Sequence, residues 1–313
     1  MVAKIGVVYL CRFAEGEEPV HRFLRSYRTH PAGFEHDLHV VFKGFPNREA
    51  SDRLRALFGE LLIGTIELED TGFDIGSYAA AAKAVANSQL LFFNTFSEIL
   101  ANDWLAHFAK ALALPGVGLV GATGSWQSVR SGYEARLLRL LRQPGWYLSR
   151  RAFARAAPAD EDIGEPDDEV QVDFRRWLRR AGRIGQYPFR VYGFRGYPNP
   201  HIRTNAFMIQ REIFSSLRGT VFMRKMDAYK FESGRRSMTR QIMARGLRAV
   251  VLDRWGKIYD IPEWKSSSTF WTDVQQNLLV ADNQTNSYST GSDRHRKMLR
   301  CYAWESPKSW YVM

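Results

Sequence analysis

With 313 residues, 45% of them hydrophobic and 25% charged, the chain has ordinary globular composition and can bury a core as one large α/β domain or two small ones. No apolar run approaches the ~20 residues needed to cross a bilayer, which excludes a spanning helix. A net charge of +11 attracts phosphates, anionic headgroups and nucleic acid alike. No DNA- or RNA-binding motif and no metal-spaced Cys/His cluster accompanies it, so small phosphorylated ligands and anionic membranes lead and nucleic acid falls behind.

Residues 4–10 form a short β-branched run typical of a buried parallel strand. Residues 17–30 follow as a helix, with Val20, Phe23, Leu24 and Tyr27 at helical spacing. The alternation then repeats: strand 37–42, helix 50–58, strand 65–68, Ala-rich helix 76–86, strand 89–93, helix 104–112 and strand 117–121. Repeated βα units predict a largely parallel sheet with helices on both faces. No basic-then-apolar leader precedes the first strand, so a cytoplasmic chain is expected. Cys11 and Cys301, at opposite ends, read as two ordinary thiols in a reducing compartment.

The middle changes character. Segments 133–141 and 146–153 are basic and amphipathic, with Arg136, Arg139, Arg142, Arg150, Arg151 and Arg155 in and beside them. An acidic stretch over 160–169 and a second basic segment over 175–183 follow. This region, 129–195, reads as a helical insertion. It either lies on an anionic membrane as a peripheral contact or presents a solvated face. Beyond it come a strand over 206–209, a helix over 237–244 and a Ser-rich loop at 266–268.

In an open parallel sheet, ligands bind at the carboxyl ends of the strands. Four polar segments fall at such ends: Cys11-Arg12; Asp70-Thr-Gly-Phe-Asp-Ile-Gly-Ser-Tyr78; Asn94-Thr-Phe-Ser-Glu98; and Gly121-Ala-Thr-Gly-Ser-Trp126. In the second, Gly72 and Gly76 permit tight backbone, and Asp74 between them is too polar for a core position. The helix that begins just after it either receives a phosphate on its N–H groups or is capped by Asp74 or Ser77.

The order strand, Asp-Thr-Gly-x-Asp-x-Gly turn, helix, strand, polar turn resembles the nucleotide-binding half of family 2 and related GT-A glycosyltransferases. The Gly-Phe-Asp-Ile-Gly-x-Tyr form is also similar to rhamnan-synthesis F-type proteins of polysaccharide assembly. The resemblance covers residues 4–125 and resumes over 199–255. It implies an α/β fold, the Rossmann-like GT-A plan, with residues 1–128 as the nucleotide-sugar half and 196–313 as the acceptor half. It also implies transfer of a sugar from a nucleotide-diphosphate sugar to a saccharide or lipid-linked acceptor, with inversion.

Site residues follow from that resemblance. Arg12, Asp70 and Asp74 would meet the nucleotide. Where the family carries Asp-x-Asp on a divalent ion, this chain has Asn94 and Glu98. Either Glu98 works with a distant ligand such as Asp282 to hold Mg²⁺ or Mn²⁺, or basic groups replace the ion. His201, Arg203 and Asn205, ahead of the 206–209 strand, would orient sugar or phosphate. The stretch from Lys230 to Gly246 is similar to the one carrying the acidic base of inverting enzymes, which makes Glu232 the candidate base and Asp227 the second. Alternatively, Glu232 caps a helix or pairs with Arg235 or Arg236. The altered Asp-x-Asp also fits a non-catalytic sugar-nucleotide- or glycan-binding protein of the same fold.

Overall fold

A computed structural model describes residues 4–134, 191–219 and 224–306. The expected basic helices and acidic stretch fall almost wholly in 135–190, outside the described residues.

The strands are β1 (Ile5–Arg12), β2 (His36–Lys43), β3 (Leu62–Leu68), β4 (Gln89–Phe93), β6 (Val117–Gly121), β9 (Ala206–Gln210), β10 (Arg248–Leu252) and β11 (Ile258–Tyr259). They form one sheet in the order β11-β10-β6-β9-β4-β1-β2-β3. β1 runs parallel to β2 and β4, β2 to β3, and β6 to β10. β9 is antiparallel to both neighbours, and β11 to β10. Two short pairs flank this sheet: β5 (Glu98–Ile99) with β12 (Val280–Ala281), and β7 (Gly124–Ser125) with β8 (His201–Ile202). The mostly parallel α/β sheet with helices on both faces is the Rossmann-like layout expected.

Alternation along the strands builds two cores, one on each face. In β1, Val8 and Leu10 enter one core, and Val7, Tyr9 and Cys11 the other. Helices α1 (Glu18–Thr29), α2 (Arg48–Phe58) and α4 (Trp104–Leu112) cover the second face with Phe23, Phe58, Trp104 and Phe108. Helices α3 (Phe73–Ala84), α5 (Arg211–Ser215), α6 (Lys225–Ser233) and α7 (Met238–Met243) cover the first. There Phe92 sits among Tyr78, Phe207 and Phe214, with ring centroids 4.9, 5.0 and 5.0 Å away. Two C-terminal helices, α8 (Asn283–Thr290) and α9 (Asp293–Trp304), complete the described chain.

Several assignments differ from expectation. Helix α3 starts at Phe73 rather than Gly76, because the left-handed turn falls earlier, at Gly72 (φ 74°) and Phe73 (φ 52°). The Ser-rich loop is the end of a 3₁₀ helix (Ile261–Ser267), whose buried Ser267 donates to the Trp264 carbonyl at 2.7 Å. The segment after Leu278 is β12 and α8, with Asp282 as N-cap. Cys11 and Cys301 are both buried free thiols. Among the described residues no helix is long and apolar enough to cross a membrane.

Replacing Phe92 with Ala should cost about 3–5 kcal/mol, since the surrounding rings cannot collapse into the space. Urea unfolding of wild type and variant measures it.

Candidate functional site

The sheet topology decides which side chains meet. β1, β2, β3 and β4 are parallel, so Arg12, Lys43, Asp70 and Asn94 arrive at one edge. β9 runs the opposite way, so the residues before it, Arg203 to Asn205, arrive at that same edge. A cavity of about 760 Å³ opens there. Arg12, Asp74, Asn94, Arg203, Asn205, Glu232 and Asp282 line it, seven of the residues singled out from the sequence.

Arg12 ends β1 and holds Asp70 in a two-pronged fork, Nε to Oδ1 and Nη2 to Oδ2, both 2.8 Å. Its Nη1 donates to Glu15 at 2.8 Å. The bond to Arg12 holds the Asp70 carboxyl below its usual range, with Lys43 assisting. Both Asp70 oxygens are thereby spent on positioning Arg12, and Asp70 itself is not a lining residue. Asp74, in the first turn of α3, does line the cavity. Burial pushes its pKa up, against the pull of Lys43 and Arg12.

Lys43 was not expected as a site residue. It ends β2 only 1% exposed, and its Nζ donates to the Phe73 carbonyl at 2.7 Å and lies 3.8 Å from Asp70. It therefore fixes the left-handed turn that aims α3 at the cavity. The available signal was a lysine closing an otherwise buried strand.

Asn94 lines the cavity, but its Oδ1 is used within its own turn, accepting from Phe96 N at 3.1 Å and Ser97 Oγ at 2.9 Å. Glu98 lies in β5 opposite Ala281, one residue from Asp282, yet is not a lining residue. Among the described residues no three His, Cys, Asp or Glu side chains converge as a metal site. Asp282 Oδ2 lies against Arg203, the Asn94 oxygen is used within its own turn, and Glu98 stays outside the lining, so these three side chains do not converge on one point of the cavity.

The wall formed by Arg203, Asn205 and Asp282 has unmet polar groups. Arg203 stands over the Phe270 ring at 4.3 Å, with its Nη2 3.4 Å from Asp282 Oδ2. The Asp282 Oδ1 accepts from Thr285 N at 2.8 Å, capping α8. Asn205 Oδ1 accepts from Thr123 Oγ1 at 2.7 Å. Arg203 Nη1, Asn205 Nδ2 and Asp282 Oδ2 are buried without a hydrogen-bond partner. Each such group costs about 1–3 kcal/mol until something supplies the missing partner.

The loop behind this wall is strained. Ser268, Trp271, Asp273 and Gln275 all have φ between 45° and 54°. Bonds to α8 hold them there: Trp271 Nε1 to Gln284 O, Gln275 Nε2 to Thr285 O, and Tyr288 Oη to Asp273 O. Strain of this kind persists where surrounding structure over-determines it, commonly at ligand sites.

Opposite, α6 presents Lys225, Tyr229 and Glu232 from one face at i, i+4, i+7. Glu232 Oε1 accepts from Thr204 N at 3.0 Å and Thr204 Oγ1 at 3.3 Å. Tyr78 bonds the Thr204 carbonyl at 3.2 Å, and burial, then Asp74 and Glu232, push its phenol up. The other candidate base, Asp227, does not reach the cavity; its Oδ2 accepts from Arg224 N in the capping box of α6. His201 also lies outside the lining, buried in β8 with Nδ1 donating to the Asn199 carbonyl at 2.8 Å. Burial lowers its pKa to about 4, opposed by the Asn199 bond and aided by Arg203 and Arg240.

No family model matches the chain, and no curated protein matches it. Among solved structures, it is similar to S. aureus TarS 1–349 in complex with UDP-GlcNAc, at 16% identity and a TM-score of 0.31. That match covers 38% of this chain and 33% of TarS, so the chain spans about a third of that relative. It is also similar to the mannosyltransferase PcManGT from Pyrobaculum calidifontis in complex with GDP-Man and Mn²⁺, at 12% identity, covering 96% and 70%, with a TM-score of 0.42. A third is the 4-diphosphocytidyl-2C-methyl-D-erythritol synthase of Anaerococcus prevotii, at 10% identity, covering 80% and 88%, with a TM-score of 0.40.

The His201 environment has a pH consequence. Its folded pKa lies below the unfolded value of 6.5, so the unfolded chain takes up a proton first as pH falls. The stabilisation is complete above about pH 6.5 and drains away towards pH 4. Between pH 7.5 and 4.5 the wild type should lose roughly 2–3 kcal/mol more than His201→Asn, measured by urea unfolding at each pH.

Proposed function

We propose that the chain is a glycosyltransferase, moving a sugar from a nucleotide-diphosphate sugar to a hydroxyl of a saccharide or lipid-linked acceptor, with inversion. The observation that carries this reading is the set of unmet buried groups at one wall: two donors, Arg203 Nη1 and Asn205 Nδ2, and one acceptor, Asp282 Oδ2. A sugar hydroxyl both accepts and donates, and adjacent hydroxyls would satisfy all three. A purely anionic or apolar ligand would leave Asp282 Oδ2 with the Arg203 ion pair alone and no hydrogen bond.

The remaining roles follow from position. Arg12, steadied by Asp70, and Asp74 face the nucleotide; Lys225 brings positive charge to the diphosphate. Such preplaced cations stabilise charge developing on the leaving group. Glu232, oriented by Thr204, accepts the acceptor hydroxyl's proton as that oxygen bonds to the anomeric carbon and the bond to the diphosphate oxygen breaks. Asn94 and Glu98 in place of the Asp-x-Asp pair favour a second reading: a sugar-nucleotide-binding protein without turnover.

Two measurements test this. A panel of nucleotide-diphosphate sugars should raise the melting temperature, a ligand at 100 times its Kd adding about 2.7 kcal/mol, and Asp282→Asn should abolish most of the gain. With the donor so found, Glu232→Gln should lower kcat roughly 10²–10⁴-fold with little change in donor binding. Unchanged turnover in that variant removes Glu232 as base, and binding without any turnover in wild type selects the second reading.

A further inference from the structure

The cavity has an end that its hydroxyl-matching wall does not reach. In the sheet, β2 lies three strands from β9, about 14 Å at the usual strand spacing. Lys43 closes β2, and its 2.7 Å bond to the Phe73 carbonyl brings the first turn of α3 over that strand's end. Arg12 completes the link, gripping Asp70, which lies 3.8 Å from Lys43 Nζ, and holding Glu15. Arg12, Glu15, Phe73 and Asp74 line the cavity there, far enough from the Arg203 wall to seat a diphosphate and a ribose between.

Two neighbouring side chains at this end are unspent. Phe73 is 37% exposed and lines the cavity. Its backbone is left-handed at φ 52°, which a bulky residue rarely adopts, and the Lys43 bond holds it so. An open aromatic face gains burial and stacking when a flat ring lies on it. Asp74, the next residue, makes no hydrogen bond or ion pair among the described residues and does not cap its own helix. Arg12 and Lys43 are instead committed to Asp70, Glu15 and the Phe73 carbonyl. A carboxylate in that state repels a diphosphate and takes N–H or O–H donors.

Ring and carboxylate side by side match one base edge. Guanine carries two adjacent donors, N1–H and the N2 amino group, spaced for both oxygens of a carboxylate. Uracil and thymine set a single N–H between two carbonyls. Adenine and cytosine set an amino group beside a ring acceptor, and a carboxylate repels both arrangements. The ribose diol also donates, but it has no flat face for Phe73.

We propose that Phe73 and Asp74 form the base subsite of the donor and select guanine. The base stacks on the Phe73 ring, and both Asp74 oxygens accept from its N1–H and N2 amino group. Its place in a donor rests on the nucleotide-diphosphate-sugar reading; guanine binding itself does not depend on transfer.

The test titrates GDP, inosine diphosphate, UDP, CDP and ADP into the full chain by calorimetry with Mg²⁺ present. GDP should bind at least about tenfold tighter than each of the others, the worth of one charge-assisted hydrogen bond. Inosine diphosphate differs from GDP only in lacking the N2 amino group, so its deficit reads that contact without any variant. Asp74→Asn should erase the difference between GDP and inosine diphosphate. Phe73→Leu should weaken GDP about tenfold, and Phe73→Tyr, which keeps a flat ring, should restore it. Inosine diphosphate binding as tightly as GDP, or a GDP preference untouched by Asp74→Asn, overturns the subsite. UDP, CDP or ADP matching GDP overturns guanine selection, while turnover of that nucleotide's sugar leaves the transfer reading standing. Asp74-dependent GDP binding without turnover of any GDP-sugar does the reverse: the transfer reading fails and the guanine site stands. If no nucleoside diphosphate binds, both fall.

Discussion

One strand running against its neighbours organises everything at the working edge of the sheet. Had β9 been parallel to β4 and β6, its preceding residues would lie at the far edge, away from Arg12, Lys43 and Asn94. Because it is antiparallel, the backbone of Asn205 accepts from Asn94 N at 2.9 Å, and Arg203 and Thr204 sit directly beside the carboxyl ends of β4 and β1. The insertion of β9 between two strands from the N-terminal half also means the halves share one sheet and two cores. The cavity is therefore framed by rigid elements.

Charge is distributed unevenly around that frame. The overall excess of +11 is not concentrated in the cavity, where Arg12, Arg203 and Lys225 face Glu15, Asp74, Glu232 and Asp282. The cations are mostly committed: Arg12 to Asp70 and Glu15, Arg203 to Asp282. A buried pair such as Arg203–Asp282 is weak evidence for stability, because desolvation offsets much of the attraction. Its incomplete bonding, together with four left-handed residues in the loop behind it, is better understood as preparation for a polar partner.

The fold was legible where periodicity and β-branched runs are strong. The β4, α4 and β6 boundaries read from the sequence coincide with those observed, because apolar blocks such as Gln89–Phe93 end in abrupt polar turns. The site was legible in part. Asp74, Arg203, Asn205 and Glu232 stand out as polar residues at strand ends or in a motif-like stretch, and they share the cavity. Glu98, Asp227 and His201 had the right residue types, but whether a side chain faces the cavity or its own backbone depends on turn and cap geometry that spacing does not encode. Lys43 was missed for the opposite reason: a strand-end lysine ordinarily reaches solvent, and only the tertiary approach of the Phe73 turn buries it. Asp282 was legible as polar, but its capping of α8 and its pairing with Arg203 come from the approach of segments far apart in sequence.

The most direct measurement is a crystal structure of the chain with a nucleotide-diphosphate sugar bound. The sugar should lie against Arg203, Asn205 and Asp282, with hydroxyls bonded to Asn205 Nδ2 and Asp282 Oδ2 and the anomeric carbon turned towards Glu232. A ligand bound elsewhere, or a sugar in the cavity with those two atoms still unpaired, would contradict it.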